Sequence, residues 1–437
     1  MQALFPYQEE GARLLSKSKA LYLGDDPGLG KSAQIASACD YAGAHRILVV
    51  CPASLKINWA REIAKFSLAD LPVQIPGSQD KLNTGPGVTI INYDLIIRKE
   101  IHQQIRNNYY DVLAIDESHA LKEPTSKRTR AILGEYGIAD NAERVWLASG
   151  TPVPNHPGEL FAVLSRLHPM ATRRMNYDQF LNYYCYTKAT EYGLKVLSNR
   201  SNIYQLKQDI ASFMLRRKRA DVLPDLPDLR IGSLVIENDK ALASIRKYVG
   251  EHPEIEAYLD GEEATEAAMD WVDNAALSTI RKICGSAKAY ALADEITEEL
   301  NSGLHQIVLM CWHKDTIDIL RQKLDKFGVA VVDGRVSMKK RQEAVDRFND
   351  SQYTSNCRVF IGQILAAGVG HTMTGCQDMI IVEPSWVPGE NVQAMLRISR
   401  IGQLKKCLVR FAKLAGSIDE AIMGSAERKA AMIAELM

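Results

Sequence analysis

The segment that most constrains the fold is a short apolar run, Ala20 to Leu23, that leads into Asp25-Asp26-Pro27-Gly28-Leu29-Gly30-Lys31-Ser32 and passes at once into a helix-forming stretch, AQIASACDYAG. A strand, a glycine-rich turn and a helix start converge several backbone N–H groups and the positive end of a helix dipole on one point, a geometry that binds phosphate. Lys31 would reach the β and γ phosphates of a nucleotide, and the Ser32 hydroxyl would ligate Mg²⁺. The general pattern asks for glycine where Asp25 stands, so the match is imperfect. The plainer alternative is a glycine-rich turn followed by an exposed lysine. The strand before the turn and the helix after it favour the phosphate loop.

Further short apolar runs occur along the chain, with helical stretches between them: ILVVC at 47–51, VTII at 88–91, VLAID at 112–116 and RVWLAS at 144–149. Runs of this length, ending in Gly, Pro, Asp or Ser and alternating with helices, predict buried parallel strands and an α/β sheet. Residues 151–225 turn helical and aromatic, without strand-like spacing until IGSLVI at 231–236, and 237–273 is acid-rich and helix-prone, the pattern of a solvated surface. A second α/β series then begins with IVLMCW at 307–312, VAVVDG at 329–334, RVFIG at 358–362 and MIIVE at 379–383. A chain of 437 residues exceeds what one core supports, so two lobes are expected, with a ligand cleft between them.

Composition narrows the partners. Lys plus Arg equals Asp plus Glu at 53 each, so any grip on a polyanion must come from local patches. The eight cysteines include no C-x-x-C pair, which argues against zinc and against a disulfide framework. No stretch approaches the length of a bilayer-spanning helix, and the amino terminus lacks a signal-peptide pattern, so the expected setting is cytoplasmic, without membrane contact.

Two constellations join the phosphate loop. Asp116-Glu117-Ser118-His119 ends the VLAI strand, and carboxyl ends of strands in such sheets open onto the ligand crevice. Asp116 would hold the metal, Glu117 would act as general base towards the attacking water, and His119 would link this site to neighbouring motifs. Near the carboxyl terminus, Arg397 and Arg400 stand three apart with Gln393 four before Arg397. On a helix all three share a face, and arginines from a second lobe would make hydrolysis depend on lobe closure. A solvated amphipathic helix is the alternative for that segment taken alone.

In order, these residues resemble the Swi/Snf-like branch of superfamily-two helicases, ATP-driven DNA translocases, over nearly the whole chain. Phe5-Pro6-Tyr7-Gln8 is similar to the family's adenine-reading glutamine motif. DDPGLGKS resembles its D-E-M-G-L-G-K-T loop, which makes Asp25 a family feature. ILVVCPASLKINW, Asn92-Tyr93-Asp94, DESHALK, Ser149-Gly150-Thr151-Pro152, LRRKRADVLPDLP, Asp333-Gly334, Arg341, GQILAAGVG and QAMLRISRIGQ come next, in family order. DESH and the Glu383 to Gly389 stretch resemble the annealing-helicase branch. Two departures are His371-Thr372 for the usual Ile-Asn and Gly362-Gln363 for the usual Ser-Thr pair.

The resemblance implies two RecA-like P-loop NTPase lobes with helical insertions: a first lobe over 1–154, its helical protrusion over 155–228, a linker and helical insertion of the second lobe over 229–290, and the second lobe over 291–437. It implies ATP and Mg²⁺ as cofactors, with Gln8, Asp25, Gly28, Leu29, Gly30, Lys31, Ser32, Asp116 and Gly370 around the nucleotide. Glu117, Lys31, Arg397 and Arg400 would be catalytic, and Ser32 and Asp116 would bind the metal. Ser54, Lys56, Thr151, Arg216 and Arg217 would meet double-stranded DNA through its backbone, as a sequence-independent grip. Little interleaving of aromatic and basic residues is evident, so base stacking is not expected. The chain is expected to act as a monomer, with a DNA-bound protein as a possible target; a bare motor core suits a bacterial or viral source, or a nuclear setting in a eukaryote. An RNA or single-strand helicase and a nucleotide-dependent scaffold are the competing readings.

Overall fold

The computed structural model describes residues 2–153, 156–190, 193–199, 202–223, 226–251, 275–354, 356–367, 372–420, 422–424 and 426–428. The chain divides into two compact units, Met1–Pro224 and Asp225–Met437. Gly370, expected near the nucleotide, and His371 lie outside the described residues.

In the first unit, β1 (Ala20–Leu23), β2 (Arg46–Cys51), β3 (Val73–Gln74), β4 (Gly87–Asn92), β5 (Tyr110–Asp116), β6 (Ala142–Ala148) and β9 (Met214–Leu215) form one parallel sheet in the order β3-β4-β2-β5-β6-β1-β9. The central strands are buried almost end to end, which is why they read as unbroken apolar runs. Register aligns the strand ends: Leu23 and Asp116 both lie level with Ala148. The ends of β1, β5 and β6 therefore open at one edge, with α2 (Lys31–Tyr41) starting from that edge. Beside α2 pack α1 (Pro6–Lys17) and α3 (Lys56–Phe66).

The expected helical protrusion over 155–228 is corrected in two respects. It carries an antiparallel hairpin, β7 (Cys185–Thr190) with β8 (Gly193–Asn199), and its last part supplies β9 to the first sheet. The hairpin's composition, CYTKAT and GLKVLSN, mixes Lys and Thr with small residues, so it carries no apolar run to mark it.

In the second unit, β10 (Leu229–Ile236), β11 (Ile307–Cys311), β12 (Val329–Val332), β13 (Val359–Gln363), β14 (Asp378–Ile381) and β15 (Cys407–Leu414) form a second parallel sheet, β10-β15-β14-β11-β13-β12. Alternate residues of β11 feed two separate apolar layers, Ile307, Leu309 and Cys311 on one face and Val308 and Met310 on the other. Residues 229–290, expected as linker and insertion, instead begin with a sheet strand. A later helix, Ala275–Asn301, runs unbroken across the expected boundary at 290. The acid-rich stretch is described only as far as 251, where it forms the helix Asp239–Gly250. Among the described residues no helix is long and apolar enough to cross a membrane.

Candidate functional site

α2 begins at Lys31 with Gly30 as its N-cap, in the left-handed region at φ 72°. A Cβ there would stand 2.3 Å from Gln8 Nε2, so both backbone and space call for glycine. α1 lies against this turn: the Tyr7 hydroxyl and Gln8 Nε2 donate to the Leu29 carbonyl at 3.2 and 3.1 Å, and Gln8 Oε1 accepts from the Phe5 N–H at 3.0 Å. Lys31 Nζ donates to the carbonyls of Asp25 and Asp26 at 2.7 and 3.2 Å. A triphosphate suits this cradle. The N-terminus of α2, the positive end of its dipole, and the Lys31 ammonium stand together at this turn, and both favour an anion.

Asp25 and Arg217, expected at the nucleotide and at nucleic acid respectively, are each other's partner. Asp25 is fully buried, and its carboxylate accepts from Arg217 Nη2 at 2.6 Å, from Arg217 Nε and N–H at 3.1 Å each, and from Gln34 Nε2 at 3.0 Å. Arg217 also donates to Gln34 Oε1 at 2.6 Å and to the Tyr7 carbonyl, with its guanidinium over the Tyr7 ring. The cause is the edge strand. Residues 213–217 run beside β1 and the phosphate loop, receiving backbone bonds from Tyr22, Gly24 and Asp26. Asp25 thus anchors the loop from behind, and Arg217 is turned inward, while the neighbouring Arg216 side chain stays exposed.

At the end of β5, Asp116 accepts from the Trp59 indole at 2.8 Å and from the Glu117 N–H at 2.9 Å. Burial, and then the adjacent Glu117 carboxylate, push its pKa up to about 6. Buried hard oxygen donors that repel one another suit a divalent cation, and the Ser32 hydroxyl is of the same donor class. Glu117 adopts the left-handed region at φ 48°, an uncommon conformation for a side chain bearing a Cβ and one that concentrates at functional sites. Tyr93 steadies this bend by donating to the Asp116 carbonyl at 2.6 Å. His119 Nδ1 lies 3.3 Å from Glu117 Oε2 and 3.1 Å from Ser149 Oγ, and Ser149 Oγ accepts from the Thr151 N–H at 3.1 Å. The expected polar link is present. Gly150 packs so closely that a Cβ would stand 2.6 Å from Pro27 Cγ of the phosphate loop.

Of the remaining candidates in this unit, Ser54 sits half-buried on the 3-10 turn Ala53–Leu55, and Thr151 is half-buried. Lys56 is 7% exposed, and burial holds its ammonium below the usual lysine range.

In the second unit, the helix Pro388–Met395 carries Gln393 but ends before both arginines. Arg397 and Arg400 lie in the turn and bend beyond it, so the expectation of three residues on one helical face is overturned. The turn has its own fixings: Gln403 Nε2 donates to the carbonyls of Ile398 and Cys376, and Gly402 takes φ 97°. Arg397 is buried, its Nε bonded to the Gln393 carbonyl at 3.0 Å. Arg400 Nη1 donates to Thr372 Oγ1 at 3.1 Å, which makes the departure from Ile-Asn at 371–372 a contact of the arginine itself. The second departure is also structural. Gln363 bridges the Trp312 carbonyl and the Gly334 N–H, and a Cβ on Gly362 would meet Ala367 at 2.6 Å.

The SNF2-related domain matches residues 7–284, and the helicase conserved C-terminal domain matches 287–402. The chain belongs to the SNF2-related, helicase-like ATPases. Relatives include a Caenorhabditis elegans homolog of the SWI/SNF-related matrix-associated actin-dependent regulator of chromatin subfamily A-like protein 1, 27% identical over 98% of this chain and 61% of the relative. The Xenopus laevis protein of that name is 29% identical over 95% of this chain and 42% of its own length. The human DNA annealing helicase and endonuclease ZRANB3 is 28% identical over 98% and 40%. The chain thus spans about two fifths to three fifths of these relatives. Among solved structures, a Sulfolobus solfataricus SWI2/SNF2 ATPase core in complex with dsDNA aligns over 100% of the chain and 95% of its own, with 20% identity and a TM-score of 0.47.

As an SNF2-related ATPase, the chain makes use of ATP, and its two parallel α/β units are the two RecA-like lobes of that family. The residues that the motifs alone do not disclose are those that hold Asp116, Glu117 and Asp25 in place. Trp59 orients Asp116, Tyr93 holds the bend at Glu117, and Gln34 shares Asp25 with Arg217. Trp59 and Tyr93 stand inside family-like motifs, so the signal is present in the sequence without a role attached.

Proposed function

We propose that this SNF2-related ATPase is a translocase on double-stranded DNA, and that it hydrolyses ATP between its two lobes to remodel DNA or protein–DNA complexes. The observation carrying this reading is the convergence, at one sheet edge, of the Lys31 cradle, the Asp116-Glu117 pair and the Ser149–Thr151 turn. In this reading Lys31 and the amides of α2 hold the β and γ phosphates, and Gln8 reads the adenine. Ser32 and Asp116 would hold Mg²⁺, and the ion would supply charge neutralisation at the phosphates. Glu117 takes the proton of the attacking water, and Arg397 and Arg400 from the second lobe stabilise the charge of the transferring group. The link from Glu117 through His119 to Ser149 and Thr151 ties proton transfer to a loop proposed to meet the DNA backbone. Relatives that carry the name of a DNA annealing helicase support DNA rather than RNA as the track.

The test is steady-state ATP hydrolysis measured in parallel with no nucleic acid, single-stranded DNA, duplex DNA and RNA. Duplex DNA is expected to stimulate most. Stimulation by none of the nucleic acids removes the translocase reading, and a stronger response to RNA replaces it with the RNA-helicase alternative.

A further inference from the structure

Residues 166–209 differ in character from the rest of the chain. They hold six of its 17 tyrosines, and seven Lys and Arg against three Asp and Glu, in a protein whose charges balance overall. Folding brings part of this set to one face of the first unit. Tyr184, fully buried, packs against Phe180 and edge-on to Tyr183, and so fixes the end of the helix Tyr177–Tyr184 from which β7 departs. Tyr183 and Tyr186 then stand at the surface, 36% and 54% exposed. Asn202 donates to the Tyr183 carbonyl, which brings the helix Ile203–Asp209 alongside. That helix presents Tyr204, 69% exposed, with Lys207 Nζ 5.5 Å from its ring centre. Between the two helices, Arg173 pairs with Asp209 at 2.9 Å and lies 5.7 Å from the Tyr183 ring. Arg173 and Arg174 adopt consecutive left-handed conformations, φ 52° and 60°, a turn that leaves the Arg174 side chain exposed.

Rings exposed singly are ordinary on protein surfaces. Here two exposed rings, Tyr183 and Tyr204, stand in cation–π contact with Arg173 and Lys207, and Tyr186 lies exposed three residues beyond Tyr183. That combination matches both halves of an unpaired nucleotide: a flat base for the tyrosine and a phosphate for the neighbouring Arg or Lys. The linear sequence conceals this face because Tyr183, Tyr186 and Tyr204 are interleaved with Arg173, Arg174 and Lys207 only in space.

We propose that this face, centred on Tyr186 and Tyr204, binds single-stranded nucleic acid by stacking bases on tyrosine rings, as a site separate from the duplex track. It stands beside the proposed function rather than on it. The experiment measures fluorescence anisotropy of a labelled oligothymidylate, and of a labelled duplex of equal length, with the full chain and no ATP. Tyr186→Ala with Tyr204→Ala is expected to weaken oligothymidylate binding on the order of tenfold or more. Tyr186→Phe with Tyr204→Phe, which keeps the rings, is expected to stay within about twofold of the native chain, and duplex binding is expected to stay level in both. The proposal is overturned if the native chain does not bind oligothymidylate, if the alanine variant binds it as tightly as native, if the phenylalanine variant falls as far as the alanine one, or if duplex binding falls in step. Absent duplex stimulation of ATP hydrolysis would count against the translocase reading alone and leave this measurement unaffected.

Discussion

Asp25 and Arg217 show what a residue's type can and cannot declare. Both carry charges that suit a nucleotide or a polyanion, yet they are 192 positions apart in sequence and meet inside the first unit. Breaking a buried ion pair leaves one charge without compensation, so Arg217→Ala is expected to destabilise the unit by about 3 kcal/mol, read from urea unfolding. The same variant is expected to leave the salt dependence of DNA binding unchanged. Exposed Arg216 is the contrast: Arg216→Ala is expected to reduce the slope of log affinity against log salt by about 1. Equal slopes for the two variants would contradict their assignment. Glu117 was readable as a candidate base because a carboxylate pair at a strand end, downstream of a phosphate loop, has few other uses. Glu117→Gln is expected to lower turnover at least about 100-fold while ATP binding persists; turnover near the native rate would remove Glu117 from that role.

Among the elements, legibility tracked burial. β1, β2, β4, β5 and β11 are covered on both faces and appear in the sequence as plain apolar runs. β15 carries no unbroken apolar run because Arg410 and Lys413 interrupt it, and the fold pairs them with Glu299 and Glu427. β9 is two residues long and exists by pairing with β1. The helix Ala275–Asn301 has a role that spacing could not reveal. Lys288 on it is fully buried and donates to the carbonyls of Val382 and Ala412 and to Asp419, and Arg281, seven residues earlier, donates to Pro384 and stacks on Trp386. Between them, a Cβ on Gly285 would stand 2.0 Å from Glu383 Oε1. Gly285→Ala is therefore expected to cost about 1 to 3 kcal/mol despite alanine's better helix propensity, because the buried carboxylate must shift. A gain in melting temperature would contradict that packing.

Glu383 also gives the second unit a pH signature. Burial raises its pKa, but the His313 side chain and the N–H groups of Trp312 and His313 outweigh burial and hold it below the usual glutamate range. A carboxylate depressed in the folded state contributes stability above its unfolded pKa and loses it as pH falls through the folded value. Glu383→Gln is thus expected to be less stable than the native chain at pH 7, with the gap closing below the ordinary glutamate range. Urea midpoints at pH 7 and pH 3 check this, and a gap that is constant across that range would exclude the charged network as its source.

For the whole molecule, the order of motifs disclosed two lobes, because each α/β series is written as its own set of apolar runs. What it misjudged were boundaries and shapes: the strand inside the expected linker, the hairpin inside the expected helical protrusion, and the turn where a helix was expected at Arg397 and Arg400. The proposed motor requires that a nucleotide held by the first lobe be acted on by an arginine of the second. Turnover and ATP affinity of Arg400→Ala in saturating duplex DNA measure this most directly. Turnover is expected to fall about 1,000-fold, with ATP affinity within a few-fold of native. Hydrolysis at the native rate would contradict an arginine acting across the lobes.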